Sequence, residues 1–252
     1  FYFSGTGNSL WVARQLQESL QEPLYKLVDV LSSDQVYALG DEERLGFVFP
    51  VYSWGPPEVV LEMISRLRLS RKPSFLYFVC TCGDDAGKTT EVFCKAVERR
   101  GWTCQAGYSV FMPNTYVCLP GFDVDAPEVE SRKREEAWGR VREIQDKIAG
   151  RESGFDCHEG SMPFLKTYVV RPLMSARWFH ASDACVSCGI CEKVCPMNNI
   201  RVDRKLVWGK RCTQCLACYH FCPMHAVAYG SQTLNKGQYY FERKRKGKQS
   251  EK

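Results

Sequence analysis

Apolar and polar positions alternate in blocks over the first 150 residues. Short apolar runs at 24–30, 45–50, 74–80 and 103–112 read as strands, and Phe1-Tyr2-Phe3 as the end of another buried one. Apolar residues at helical spacing fall near 9–20, 57–69, 87–100 and 127–149; Val129, Ala137, Val141, Ile144 and Ile148 form the stripe of the last. Strand and helix in alternation predict an α/β fold with a parallel, doubly wound sheet over residues 1–150. From 150 to 183 the regularity breaks at Gly154, Gly160, Pro163 and Pro172, while Phe164, Tyr168, Trp178 and Phe179 supply bulk. This stretch, 151–182, reads as an aromatic-rich connector packed against both of its neighbours, able to hold them at a fixed distance as a Gly/Ser chain could not. A small domain at 183–235 and a basic tail at 236–252 complete the expected organisation. Because the chain opens within a strand, a few residues are expected ahead of Phe1.

Charge adds little to this picture. The formal net charge is +5, yet residues 236–252 hold seven Lys/Arg against two Asp/Glu, so the rest of the chain is neutral. The run Arg243, Lys244, Arg245, Lys246 reads as a solvated, frayed tail rather than a nucleic-acid site. No apolar run approaches the roughly 20 residues that span a bilayer, and no leader segment precedes the first motif, so a cytoplasmic protein without a membrane span is expected.

Cysteine changes the picture most, with 14 in 252 residues. Cys185, Cys188, Cys191 and Cys195-Pro196 form CxxCxxCxxxCP, and Cys212, Cys215, Cys218 and Cys222-Pro223 repeat it. Three cysteines at intervals of three wrap a short loop around one face of a cubane, and the fourth reaches the other cluster. The expected ligand sets are therefore Cys185, Cys188, Cys191 with Cys222, and Cys212, Cys215, Cys218 with Cys195, holding two [4Fe-4S] clusters. Zinc ribbons show paired CxxC without a third cysteine three residues on. The crossed ligation staples a domain of about 50 residues that has little apolar core. Cys80, Cys82, Cys94, Cys104, Cys118 and Cys157 lack this spacing and read as small apolar residues. The segment 182–230 resembles the bacterial two-cluster ferredoxins through both runs, through Gly189-Ile190 and through Ala226-Val227, which implies a small α+β ferredoxin-like two-cluster domain.

At the other end, Ser4-Gly5-Thr6-Gly7-Asn8-Ser9 lies between a strand end and a helix N-terminus. Glycines let the backbone close tightly, N–H groups point inward, and the Ser4, Thr6 and Ser9 hydroxyls with the Asn8 amide complete a shell for an anion. The dinucleotide fingerprint fails because Leu10 occupies its last glycine position, and a monophosphate suits the loop better. Two further loops follow strands: Val51-Tyr52-Ser53-Trp54-Gly55-Pro56 and Thr81-Cys82-Gly83-Asp84. Gly87-Lys88-Thr89 does not make a Walker A motif, since Cys82 stands where its first glycine belongs.

SGTGNS is similar to the phosphate loop of flavodoxins, and Cys82-Gly83-Asp84, with Phe93-Cys94 and Ala96-Val97 in the next helix, resembles their CGD segment. The resemblance implies a flavodoxin-like sheet holding FMN beyond the carboxyl ends of its first and third strands. Asp85-Ala86-Gly87 stands where flavodoxins place a flavin-stacking tyrosine, so the partner is sought among Tyr52, Trp54 and Tyr116, with Asn114 beside them.

The order of the parts resembles a family of bacterial and archaeal flavodoxin–ferredoxin fusion proteins through Gly230-Ser231-Gln232-Thr233 to Tyr239. The resemblance implies an electron carrier of anaerobes that joins two-electron flavin chemistry to one-electron clusters and exchanges electrons with redox partner proteins, donor and acceptor unspecified. A homo-oligomer is compatible with it. The alternative is a flavin-dependent reductase whose clusters feed an external substrate, for which a well-formed pocket lined by Asn114, Tyr116 and Tyr52 would speak; no catalytic dyad stands out. A third reading, a redox sensor using its basic tail, would need a salt-dependent affinity carried by residues 236–252.

Overall fold

The computed structural model describes residues 1–170, 176–203 and 205–242. Two expectations, for Pro172 in the connector and for the run 243–246 of the tail, lie outside the described residues. In chain order the elements are α1 (Asn8–Leu20), α2 (Leu27–Leu31), β1 (Val36–Tyr37), β2 (Arg44–Pro50), α3 (Glu58–Arg66), β3 (Arg68–Leu69), β4 (Phe75–Cys82), α4 (Thr89–Glu98), β5 (Ala106–Phe111), α5 (Pro127–Ala149) and β6 (Gly154–Asp156). There follow α6 (Pro163–Leu165), β7 (Phe179–Ala181), α7 (Ile190–Val194), β8 (Ile200–Asp203), β9 (Lys205–Trp208), α8 (Ala217–His220) and β10 (Val227–Tyr229).

The chain forms a mixed α/β fold around a parallel sheet of order β2-β4-β5-β6. Tyr2 extends the sheet past β2 by parallel bridges to Val48 and Lys26. Every residue of β4 is buried, which a strand covered on both faces requires and which explains its unbroken apolar run. Period-two alternation then divides the core. Phe47, Phe49, Phe78 and Cys80 face α3 and α4, where Met63, Ile64, Phe93 and Val97 meet them. Val48, Tyr77, Val79, Tyr108 and Val110 face α1 and α5, against Val12, Leu16, Val141, Ile144 and Ile148. Helix α5 starts with Pro127 in its first turn and acidic Glu128 and Glu130 beside it, and ends with Lys147, so its charges oppose its dipole.

Three expectations are corrected. Residues 24–30 do not form a strand: Lys26 alone bridges Tyr2, and the chain turns into α2, because Leu27 and Val30, three residues apart, both bury on one side. The expected connector contains a strand, since Gly154, Phe155 and Asp156 pair in parallel with Ala106, Gly107 and Tyr108; at three residues it was too short to register as a period. The expected tail begins as packed structure. Tyr239 is buried, the Lys236 ammonium donates to the carbonyls of Val117 and Leu119 at 2.8 and 2.5 Å, and Phe241 stacks on Trp11.

The C-terminal region has its own core of Phe179, Ile200, Leu216, Tyr219, Val227 and Tyr229, joined by Val117 and Cys118 from the loop after β5. Antiparallel pairs β7–β10 and β8–β9 frame it. Among the described residues no helix is long and apolar enough to cross a membrane.

Phe93 is fully buried among Phe47, Phe49 and Phe78, with ring centroids 4.7 to 5.4 Å away. Phe93→Ala is expected to destabilise the sheet region by about 3–5 kcal/mol, read as a lower denaturant midpoint in far-UV circular dichroism.

Candidate functional site

The two cysteine runs fold alike. Non-glycine residues with left-handed backbone recur at matching places: Ser187 (φ 52) and Gln214 (φ 56) before the second cysteine, and Asn198 (φ 48) and His225 (φ 50) after the fourth. Gly189 (φ 77) and Leu216 (φ 60) occupy the place just after the second cysteine. Such conformations cost roughly 1–3 kcal/mol each and persist where surroundings demand them; here they curl each loop so that its sulfurs turn inward. The repeat extends to hydrogen bonds, since the Asn199 N–H donates to Cys195 Sγ at 3.3 Å and the Ala226 N–H to Cys222 Sγ at 3.2 Å.

Cysteines of different runs gather at two places. Cys185, Cys188, Cys191 and Cys222 line one small cavity with Val186, Val202, Leu206 and Val227. Cys195, Cys212, Cys215 and Cys218 bear electrostatically on one another. Burial pushes the Cys215 thiol up to about 12 and Cys218 well up, and the neighbouring sulfurs add to both. Four thiols gathered at one place need a cation to become thiolates together, and that is the donor set a cubane takes. Among the described residues no three His, Cys, Asp or Glu side chains converge on a single metal ion; a cubane asks for no such convergence, because each thiolate takes its own iron. The first site is the outer one, with Cys188 exposed and Val186 61% exposed.

The three N-terminal loops meet at the carboxyl ends of the strands. Ser4, Gly5, Thr6, Asn8, Ser9, Tyr52, Thr81, Cys82, Gly83, Asn114 and Tyr116 line a cavity of about 70 Å³. Val51, Tyr52, Thr115 and Tyr116 are shared with a larger cavity of about 380 Å³, which Ser53, Lys210, Arg211, Cys212, Thr213 and Cys215 also line. The helix N-terminus of α1 opens at the loop, with Gly7 left-handed (φ 101) at its cap. Ser4 Oγ accepts the Gly7 N–H at 3.2 Å, and Ser9 Oγ bonds Thr81 Oγ1 at 2.8 Å. The Asn8 amide is taken by Pro113 O at 3.0 Å and by the Tyr239 hydroxyl, also 3.0 Å. Asn8 therefore orients the loop rather than offering its amide to a ligand.

Four expected residues lie off these cavities or only brace them. Gly7 backs onto Phe241. Asp84 meets the Asn114 amide at 3.4 Å and Lys133 at 3.7 Å. Gly55 closes a tight turn on Tyr52 whose central residues Ser53 and Trp54 both have positive φ (48 and 62), the backbone of a type I′ turn. That turn carries Trp54 away from the loops: the Lys166 ammonium lies 5.5 Å from its ring centroid, and its carbonyl accepts the Thr167 hydroxyl at 2.7 Å. Tyr52 stays, half-buried, its phenol pushed well up by desolvation and then by Cys215 and Cys212, so it is a permanent donor. Burial, then Cys118 and Tyr229, likewise raise Tyr116, and burial, then Cys157 and the Asp85 and Asp84 carboxylates, keep Cys82 a neutral thiol.

The contact between the halves had no signal in the pattern. A Cβ on Gly5 would stand 2.7 Å from Cys215 Cβ and 3.0 Å from the Tyr52 hydroxyl, so the loop and the second cysteine run touch at a residue without a side chain. Phe241 N–H also bonds Thr6 O at 2.9 Å. Cys222→Ser is expected to disturb the cluster of the first run and leave that of the second, in an anaerobic iron assay with electron paramagnetic resonance of the reduced chain. Loss confined to the second would overturn the crossed assignment.

Comparison with known proteins places matches at this end of the chain. A 4Fe-4S binding domain matches residues 181–201, and a second matches 210–230. A ferredoxin of Pyrobaculum islandicum is 32% identical over 68 residues, a stretch covering 23% of this chain and 63% of that ferredoxin. This chain thus spans less than two thirds of the curated relative it matches. No solved structure matches. Both cysteine runs of the C-terminal region thus lie within matches to 4Fe-4S binding domains.

Proposed function

We propose that the chain is an electron-transfer protein in which a flavodoxin-like unit, closed by β6, holds FMN beside a two-cluster ferredoxin unit, joining two-electron to one-electron steps. The observation that carries this reading is the shared wall: the cavity lined by Ser4–Ser9 residues, Tyr52 and Tyr116 runs against the loop of Cys212 and Cys215. The strand order supports it too. From one edge the chain places Lys26, Tyr2, β2, β4 and β5, the 2-1-3-4-5 order of the flavodoxin-like fold, with β6 added outside. The three loops leave the sheet at its switch point, where this order puts a ligand.

The residues divide the work. Backbone N–H groups of the loop and of the first turn of α1, with Thr6, would hold the phosphate. Tyr52 and Tyr116 would flank the ring; Trp54, turned toward Lys166, would not. The smaller cavity alone is below the roughly 300–1,000 Å³ of ligand sites, and the larger one, about 380 Å³, is within it. When bound, FMN accepts electrons in pairs and passes them singly. The chain's own part is to hold a path from this cavity to the second cluster, and from there to the first, where redox partners would approach the exposed Cys188.

The larger cavity also favours a second reading, because Glu58, Glu62, Lys210 and Arg211 give it charged walls that would suit a small polar substrate reduced at the flavin. The two readings compete for one space. Anaerobically purified protein is expected to release about one FMN and about eight irons per chain, and to bind riboflavin, which lacks the phosphate, much more weakly. Full iron without flavin binding would overturn the reading. Substrate-dependent oxidation of the reduced protein without a protein partner would favour the reductase. Tyr239→Phe, which removes the donor to Asn8 Oδ1, is expected to loosen FMN several-fold without loss of iron, measured by flavin fluorescence.

A further inference from the structure

Beside the second cluster site two hydrogen-bond donors are buried without a nitrogen or oxygen acceptor. They are the Trp208 indole Nε1 and the Thr213 hydroxyl; among the described residues one further buried polar atom without a partner, the acceptor Asp85 Oδ1, lies elsewhere. An unsatisfied buried donor costs about 1–3 kcal/mol, so two at one site call for an acceptor. The group each bears on is sulfur: Trp208 ends β9 with its indole toward Cys218, and Thr213, between Cys212 and Cys215, has its hydroxyl toward Cys215. The Trp208 ring is held in place by stacking on Phe179 at 6.3 Å.

The chain contains its own comparison. The matched repeat that pairs Ser187 with Gln214 and Asn199 with Ala226 pairs Thr213 with Val186 and Trp208 with Ala181. Neither Val186 nor Ala181 has a side-chain donor. Each site receives one matched backbone N–H, from Asn199 to Cys195 and from Ala226 to Cys222. The sites therefore differ in side-chain donors and in burial, not in this backbone frame.

We propose that Trp208 and Thr213 donate hydrogen bonds to the ligand sulfurs of the second cluster and raise its reduction potential, giving the two clusters separate potentials. Reduction adds an electron to an already anionic cluster, and the added density falls partly on sulfur. A donor aimed at that sulfur stabilises the reduced form more than the oxidised one. Burial at Cys215 and Cys218 acts the other way, disfavouring the more highly charged state, and the two donors offset it. Trp208 and Thr213 are positioning residues in this sense, acting on the cluster through its ligands, and their effect needs no flavin.

The test is a potentiometric titration of the anaerobic full chain with dithionite as electron donor, followed by electron paramagnetic resonance, after an iron assay has established that both clusters are present. Trp208→Phe keeps the stack on Phe179, and Thr213→Val keeps the shape of threonine. Each is expected to shift the same one of the two clusters to lower potential and leave the other in place, the double variant shifting it further. A tenfold fall in the reduced-to-oxidised ratio at fixed potential corresponds to about 59 mV for one electron. Val186→Thr is the reciprocal variant and is expected to raise the other cluster. No shift, an equal shift of both clusters, or a rise in the first two variants would overturn the proposal. If Trp208→Phe failed to retain iron, Thr213→Val and Val186→Thr would still decide it.

Discussion

The close approach of Gly5 to Cys215 is the constraint on which the arrangement of the molecule depends. A methyl group at position 5 would enter the Cys215 side chain and backbone, so the N-terminal loop and the second cysteine run are either in contact as seen or pushed apart. Around that point the chain closes by several independent bonds. Tyr239 reaches Asn8, Phe241 reaches Thr6 and stacks on Trp11, and Lys236 ties down the loop after β5. A segment at the far end of the sequence thus braces the loop at its beginning. Separately each bond contributes on the order of 1 kcal/mol; together they fix one orientation between the sheet and the cysteine loops.

The cysteine loops obey a second constraint. Their turns place several side-chain-bearing residues in left-handed backbone, at matching positions in both runs. An apolar core as small as that around Tyr219 and Val227 supplies little to offset such strain, whereas metal–thiolate bonds supply much. The proposed crossed ligation would make the two halves of the region interdependent, since each run would complete the other's site. The asymmetry between the sites arises on top of this shared frame, from burial on the side facing the sheet and exposure at Cys188.

Much of this was legible in the sequence because it is local. The spacing of Cys185 to Cys195 and of Cys212 to Cys222 states the chemistry without a fold, as a loop of that length has few ways to present three sulfurs to one cubane. The apolar runs at 45–50 and 74–80 and the stripe of α5 are equally local, being periods of two and 3.6 against a core. The loops at Ser4–Ser9, Tyr52 and Thr81–Gly83 could be named because each follows a strand. Residues 24–30 were misread for the same reason, since a short apolar run suits either period until a neighbour selects one.

What the tertiary structure decided is where distant segments meet. That β6 joins the sheet edge, that Trp54 turns to Lys166 while Tyr52 stays, that Tyr239 holds Asn8, and that Trp208 and Thr213 face sulfur all depend on contacts between residues far apart in the chain or on a turn no periodicity records. The sequence by itself determined the elements and the metal chemistry, because hydrogen-bonded periods and ligand spacing are properties of neighbouring residues. The geometry joining the cysteine loops to the sheet came from packing, because steric exclusion at Gly5 and burial around Cys215 exist only once the two ends of the chain have come together.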